Sequence, residues 1–194
     1  MKRIHRKSKR AAQTLVEMVL ALSLTALVFF VGISTFLLGM SSWYRGNNRM
    51  SVEGSTEHAV RKIAMTLRTA MSVTVDSNGK GLSYRLPAVD GTGTFISPAT
   101  WDGVNRRIEL DGTSMYIKGD NLANVDICDN VVLTDPLSSG GNQSYRIFTA
   151  GAGTITRSLT VMLVSQQNSY NSSTPVSGRH RETIYLRNIP QLNQ

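Results

Sequence analysis

The sequence predicts an α+β fold, with one long N-terminal helix packed on an antiparallel β-sheet, and three observations carry this reading. Met18 to Met40 is a run of 23 residues without a charge. From Ser51 to Val75 apolar residues recur at helical spacing, and from Asn78 onward Gly, Pro, Asn and Asp punctuate short alternating or apolar runs, as strands and turns do. A length of 194 residues fits one compact domain with an appendage and argues against a large multidomain enzyme.

The formal charge of +8 is local. Lys2, Arg3, Arg6, Lys7, Lys9 and Arg10 supply six of the 21 basic residues, which leaves 15 against 13 acidic ones and little reason to expect a phosphate-binding surface on the body. At about 1.5 Å per helical residue the uncharged run reaches roughly 35 Å, enough to cross a bilayer core of about 30 Å. The basic stretch before it is expected to stay in the cytoplasm, which sends the chain after Met40 across the membrane. A secretory signal peptide would have a shorter apolar core and a small-x-small cleavage site, neither of which fits the exit at Ser41-Ser42-Trp43-Tyr44. A plain anchor fits better but leaves Glu17 unexplained, because an unpaired carboxylate in the first turn of an apolar helix costs several kcal/mol. Glu17 therefore needs a partner, unless it snorkels to the membrane surface.

The stretch Lys9-Arg10-Ala11-Ala12-Gln13-Thr14-Leu15-Val16-Glu17, leading into Met18-Val19-Leu20-Ala21-Leu22, resembles the processing site of type IV prepilins and type II secretion pseudopilins. The resemblance implies a basic leader over residues 1–12, cleavage between Ala12 and Gln13 by a membrane-embedded prepilin peptidase, and N-methylation of Gln13. Ala12 stands where the family usually has Gly, and Gln13 where it usually has Phe. Glu17 falls at the position of the family's glutamate, which implies an assembly salt bridge: the Glu17 carboxylate of one subunit neutralises the new Gln13 amine of its neighbour. The ending Arg181-Glu182-Thr183-Ile184-Tyr185-Leu186-Arg187-Asn188 resembles the terminal strand of the minor-pilin branch that includes PilW-like and J-type pseudopilins. The implied fold is pilin-like. Residues 13–44 form a transmembrane and assembly helix, and 45–194 an extracytoplasmic domain that is helical to about residue 75 and β-rich after it. Implied partners are the prepilin peptidase, other pilin or pseudopilin subunits, the inner-membrane assembly machinery and, before assembly, membrane lipid. The implied location is the inner membrane, single-pass with the N-terminus inside, and then the pilus or pseudopilus.

In the body, Val60, Ile63, Ala64, Leu67, Ala70 and Met71 form the apolar stripe of an amphipathic helix, with Arg61, Lys62 and Arg68 on its other side. Gly46-Asn47-Asn48 and Gly54 predict a kink or a locally melted stretch before it. The expected strands are Gly81–Leu86, Gly93–Ile96, Arg106–Leu110, Ser114–Lys118, Val125–Leu133, Ser144–Thr149, Thr154–Ser165 and Glu182–Arg187. Asp111-Gly112 signals a tight hairpin of type I′. Gln166 to Gly178, polar and rich in Ser and Asn, reads as a long loop. Thr154–Ser165 is expected to be central, with Leu159, Val161 and Leu163 on one face and Met162 and Val164 on the other.

Catalytic chemistry is not apparent. His5, His58 and His180 stand at no ligand spacing from one another or from Cys128, Gly151-Ala152-Gly153 lacks the rest of any nucleotide fingerprint, and no Gly-x-Ser-x-Gly elbow occurs. No enzyme, cofactor or metal is expected. Cys128, the single cysteine, is expected to be a small buried hydrophobe rather than a reactive thiol. Asp120, Asn121, Asp126, Asp129 and Asp135 form an oxygen-rich stretch that turn chemistry explains as well as calcium does. Arg106, Arg107, Lys118, Arg179 and Arg181 could form a basic face for DNA, but charges at strand ends are more often plain solvated surface. The expected function is a minor pilin or pseudopilin-like structural subunit; the alternatives are an uncleaved bitopic binding protein and a DNA-uptake receptor pilin.

Overall fold

The computed structural model describes residues 5–120, 122–151, 157–168 and 174–186. Among the described residues one helix, α1 (His5–Arg68), precedes ten strands: β1 (Ser72–Val75), β2 (Gly81–Arg85), β3 (Arg106–Asp111), β4 (Ser114–Gly119), β5 (Leu122–Cys128), β6 (Thr134–Asp135), β7 (Gln143–Ser144), β8 (Phe148–Ala150), β9 (Ser158–Gln167) and β10 (Val176–Tyr185). The α+β class expected from the sequence is observed, and the chain divides into two compact units, residues 1–45 and 46–194.

The first unit is helical throughout its described residues. Gly46-Asn47-Asn48 and Gly54 are helical, so the melted stretch expected there is not observed. Each exposed glycine costs only about 1 kcal/mol relative to alanine, which ion pairs one turn apart help to offset. Arg49 holds Glu53 at 2.8 Å and Arg61 holds Glu57 at 2.5 Å.

In the second unit α1 buries a stripe of Val52, Thr56, Ala59, Val60, Ile63, Ala64 and Leu67, which includes the predicted Val60, Ile63, Ala64 and Leu67 and extends one to two turns before them. The helix stops at Arg68 rather than continuing to Val75. Ala70 folds back on the Leu67 carbonyl, and the Met71 amide donates to Arg85, which begins the pairing of β1 with β2. Val73, Thr74 and Val75 are β-branched and suit that strand.

Strands β1 to β5 form an antiparallel meander in chain order. The β3–β4 hairpin is present, with Asp111 opposite Ser114, so the two central residues are Gly112 and Thr113. Gly112 has φ +62 and Thr113 is not left-handed, the pattern of a type II′ turn instead of the expected I′. Strand β5 ends at Cys128, short of the expected Leu133, because Asn130 takes φ +57 and breaks the extended chain. Gly93–Ile96 is no strand and contributes one bridge, Val89 to Phe95. The expected Ser144–Thr149 strand is split between β7 and β8.

A second sheet has the order β10-β9-β8, and β6 pairs with β7. Strand β9 is central, as expected. Leu159, Val161, Leu163 and Ser165 are buried toward the core, while on the other face Val164 is buried and Met162 half-buried. Residues 154–156 of that predicted strand lie outside the described residues. The two ends of the predicted loop are strand, since β9 runs to Gln167 and β10 begins at Val176, and residues 169–173 of it lie outside the described residues. Strand β10 also ends at Tyr185, and Arg187 of the expected strand lies outside the described residues.

Helix and sheets share one core that includes Ile63, Leu67, Leu82, Ile108, Met115, Phe148, Leu163 and Ile184. Polar contacts fix the docking: Thr56 and Ser165 hydroxyls share a buried hydrogen bond, Lys62 donates to the Asp126 carbonyl at 3.3 Å, and Arg68 holds Glu182 at 3.0 Å. The Tyr145 hydroxyl donates to the Val132 carbonyl at 2.6 Å and accepts from the Val164 amide at 2.9 Å, which ties the segment before β6 to β9.

Candidate functional site

The residues singled out by the sequence lie on α1 in the first unit. Ala12 and Gln13 sit within the helix, so the bond between them is helical here and a protease that takes an extended peptide would have to unwind about one turn. Glu17 lies four residues beyond Gln13, one helical turn on, and is exposed.

Every residue from Thr14 to Met40 is exposed except the half-buried Ser34. Large apolar side chains, among them Leu20, Leu27, Phe30 and Leu37, project on all sides, and Phe30 is 74% exposed. A helix that is apolar all round requires an apolar surround. Length and composition make α1 able to cross a membrane, which supports a single-pass arrangement. Trp43 and Tyr44, edge to face with ring centroids 5.1 Å apart, follow the apolar run at the place where aromatic belts form.

The serine and threonine hydroxyls on this stretch satisfy themselves, a feature that charge patterning in the sequence does not disclose. Ser23, Thr25, Ser34, Thr35 and Ser41 each donate to a carbonyl three or four residues back, at 2.8–2.9 Å. Serine and threonine hydroxyls bonded this way enter an apolar medium at little cost. Glu17 has no such recourse, since a carboxylate only accepts. Gly32 and Gly39 have no neighbouring atom within 4 Å of an added Cβ, and a shallow depression of about 290 Å³ lies around Gly32 between Val28, Phe29, Ile33 and Phe36. Seven residues apart, the two glycines stay on one helical face, where another helix backbone can approach closely.

The remaining candidates are engaged elsewhere. Arg106 pairs with Asp102 at 2.6 Å, Arg107 with Asp76 and Glu109, Lys118 with Glu109, and Arg179 with the buried Asp135 at 2.8 Å. Four of the five cations considered for DNA are thus matched with carboxylates. Hydrogen bonds from Lys118 and then Arg107 hold the Glu109 carboxyl below its ordinary range. Asp120 accepts from the Asn105 amide group at 3.0 Å and Asp129 from the Ser114 hydroxyl at 2.6 Å, which are turn roles. Asn121 lies outside the described residues. Among the described residues no group of three or more His, Cys, Asp or Glu is placed to hold a metal ion. Cys128 is buried and unpaired, and burial, with Asp129 adding to it, pushes its thiol up to about 11. Such a thiol stays protonated at neutral pH and is a poor nucleophile.

Comparison of the chain with protein-family models, with curated proteins and with solved structures finds no match.

Proposed function

We propose that the chain is a minor pilin or pseudopilin-like structural subunit, cleaved between Ala12 and Gln13 and assembled through α1. The observation that carries the reading is Glu17, a single carboxylate at the start of a helix that is otherwise apolar and exposed on every side, one turn past the amine that cleavage would create. An anchor alone gives that carboxylate nothing to do. In an assembly it meets the Gln13 amine of a neighbouring subunit, and the same apolar side chains that face lipid before assembly face other helices after it.

The subunit works by packing. Before assembly it rests in the inner membrane with its basic leader inside, and the β domain displays contacts on the far side. Coexpression with a prepilin peptidase tests the reading. N-terminal sequencing should find Gln13 first, and Ala12→Gly should be cleaved at least as well, because the cut needs a small residue. Persistence of Met1, or a cut after Met40, returns the chain to an anchor or a secreted protein.

A further inference from the structure

Helix α1 does not account for the open side of the second sheet. Strand β10 pairs with β9 along all ten of its residues and, among the described residues, with no other strand. In an antiparallel pair, residues alternate between those whose N–H and C=O face the partner and those whose groups face away. The Leu186 amide donates to the Arg157 carbonyl at 3.0 Å, in the β9–β10 register, so the even-numbered residues of β10 face β9. The other side of β9 agrees, because Met162 donates to the Ile147 carbonyl and Gly151 to that of Ser158, which directs even-numbered β9 residues toward β8. Arg179, Arg181, Thr183 and Tyr185 therefore direct their backbone groups off the sheet. Among the described residues no hydrogen bond takes those groups.

The edge, free among the described residues, is about 33 Å long at roughly 3.3 Å per residue, and edges of that length template the addition of another strand unless they are covered. Beside it lies a groove of about 360 Å³ lined by Arg61, Ala64, Met65, Arg68, His180 and Glu182. Met65 is 68% exposed there, with no core residue over it. The charges around the groove are mostly matched: Arg68 holds Glu182, Arg61 holds Glu57 and Arg179 holds Asp135. Arg181 is exposed and has no carboxylate partner among the described residues.

We propose that β10 is a docking edge for an extended segment of another protein subunit. The segment pairs its backbone with Arg181, Thr183 and Tyr185, sets a carboxylate against Arg181 on the outer face and lays an apolar side chain over Met65 on the inner face. The alternation follows from strand geometry, in which successive residues fall on opposite faces. A second copy of β10 is a poor occupant, because its one carboxylate, Glu182, is already held by Arg68 and it brings further arginines to the edge. This inference stands on the second unit alone, whatever the role of α1.

The probe is a short, fluorescently labelled peptide of alternating valine and glutamate, titrated into the full chain in detergent micelles and followed by anisotropy. Binding should saturate, weaken roughly tenfold or more with Arg181→Glu, and weaken as much when lysine replaces glutamate in the peptide. The lysine peptide should bind Arg181→Glu better than it binds the unaltered chain. Thr183→Pro removes one outward N–H without touching the β9 pairing and should also abolish binding, while Thr183→Val, which loses only the hydroxyl contact to Thr160 at 3.1 Å, should bind normally. If Thr183→Pro does not fold by near-ultraviolet circular dichroism, the charge swap decides alone. The proposal is overturned by absence of saturable binding, by equal binding of the lysine peptide, or by full binding to a folded Thr183→Pro. A two-chain sedimentation mass that Thr183→Pro reduces to one would give the edge to a second copy and overturn it equally.

Discussion

Replacing Glu17 by Leu separates assembly from anchoring. Glu17 and its neighbours Leu15, Val16, Met18 and Val19 are all exposed, so nothing in the subunit itself covers the carboxylate and the effect of its removal falls on whatever packs against α1. If α1 is only an anchor, the change deletes an unfavourable charge, and membrane insertion should hold or improve. If α1 docks against neighbouring helices, the change leaves a Gln13 amine of the next subunit without its counter-charge. Two unit charges about 4 Å apart attract by about 4 kcal/mol at an effective dielectric near 20. Stranding one of them in an apolar surround costs about 3–5 kcal/mol, which lowers the docking equilibrium by roughly two to nearly four orders of magnitude. The assay is recovery of partner subunits by pulldown from solubilised membranes, at matched expression, with N-terminal sequencing to show that processing is intact. Glu17→Leu should accumulate as processed membrane protein with partner recovery nearly lost. Equal recovery from both chains would refute the salt bridge and favour the anchor.

Local signals were legible in the sequence, and signals that depend on pairing were not. The stripe of Val60, Ile63, Ala64 and Leu67 could be read because a helix writes its buried face into residues three and four apart. Ala70 and Met71 continued the same spacing and are buried, yet they lie past the end of α1; what ends it is the pairing of Met71 and β1 with β2, a contact between distant residues. The start of β10 falls in the predicted loop for the same reason: Val176 to Gly178 has no alternation of its own, and it becomes strand because ten consecutive residues pair with the strongly apolar β9. In the candidate site, Glu17 was legible because a charge stands out in an apolar run. The hydroxyl back-bonds were not, since serine and threonine in a sequence do not disclose their acceptors. The open edge of β10 depends on strand order and could not have been read from any local pattern.

Three further outcomes test the packing. Leu163 is fully buried on the central strand, where truncation to alanine costs about 2–5 kcal/mol and a carboxylate costs more, so Leu163→Asp should abolish the near-ultraviolet dichroism of the full chain in micelles; a retained thermal transition would contradict the core assignment. Glu109 has its carboxyl held below the usual range, so its contribution is complete above about pH 4.3 and is lost as the pH falls through the lowered folded value; the gap in Tm between the unaltered chain and Glu109→Gln should be constant near neutrality and close in acid. The last outcome concerns Gly178 on β10, where the sign of the effect decides between two accounts. Glycine within a strand ordinarily costs about 0.5–1 kcal/mol relative to alanine, so Gly178→Ala should raise Tm if the site has room. A Cβ there would lie 3.0 Å from the Val52 carbonyl carbon, the Val52 Cγ1 and the Glu53 amide nitrogen, and two of these are backbone atoms of α1 that cannot rotate away. The added methyl must therefore push β10 off the helix at an overpacking cost of about 1–3 kcal/mol, lowering Tm by roughly 2–10 °C. A higher Tm for Gly178→Ala would show that α1 and β10 do not approach each other as closely as the structure places them.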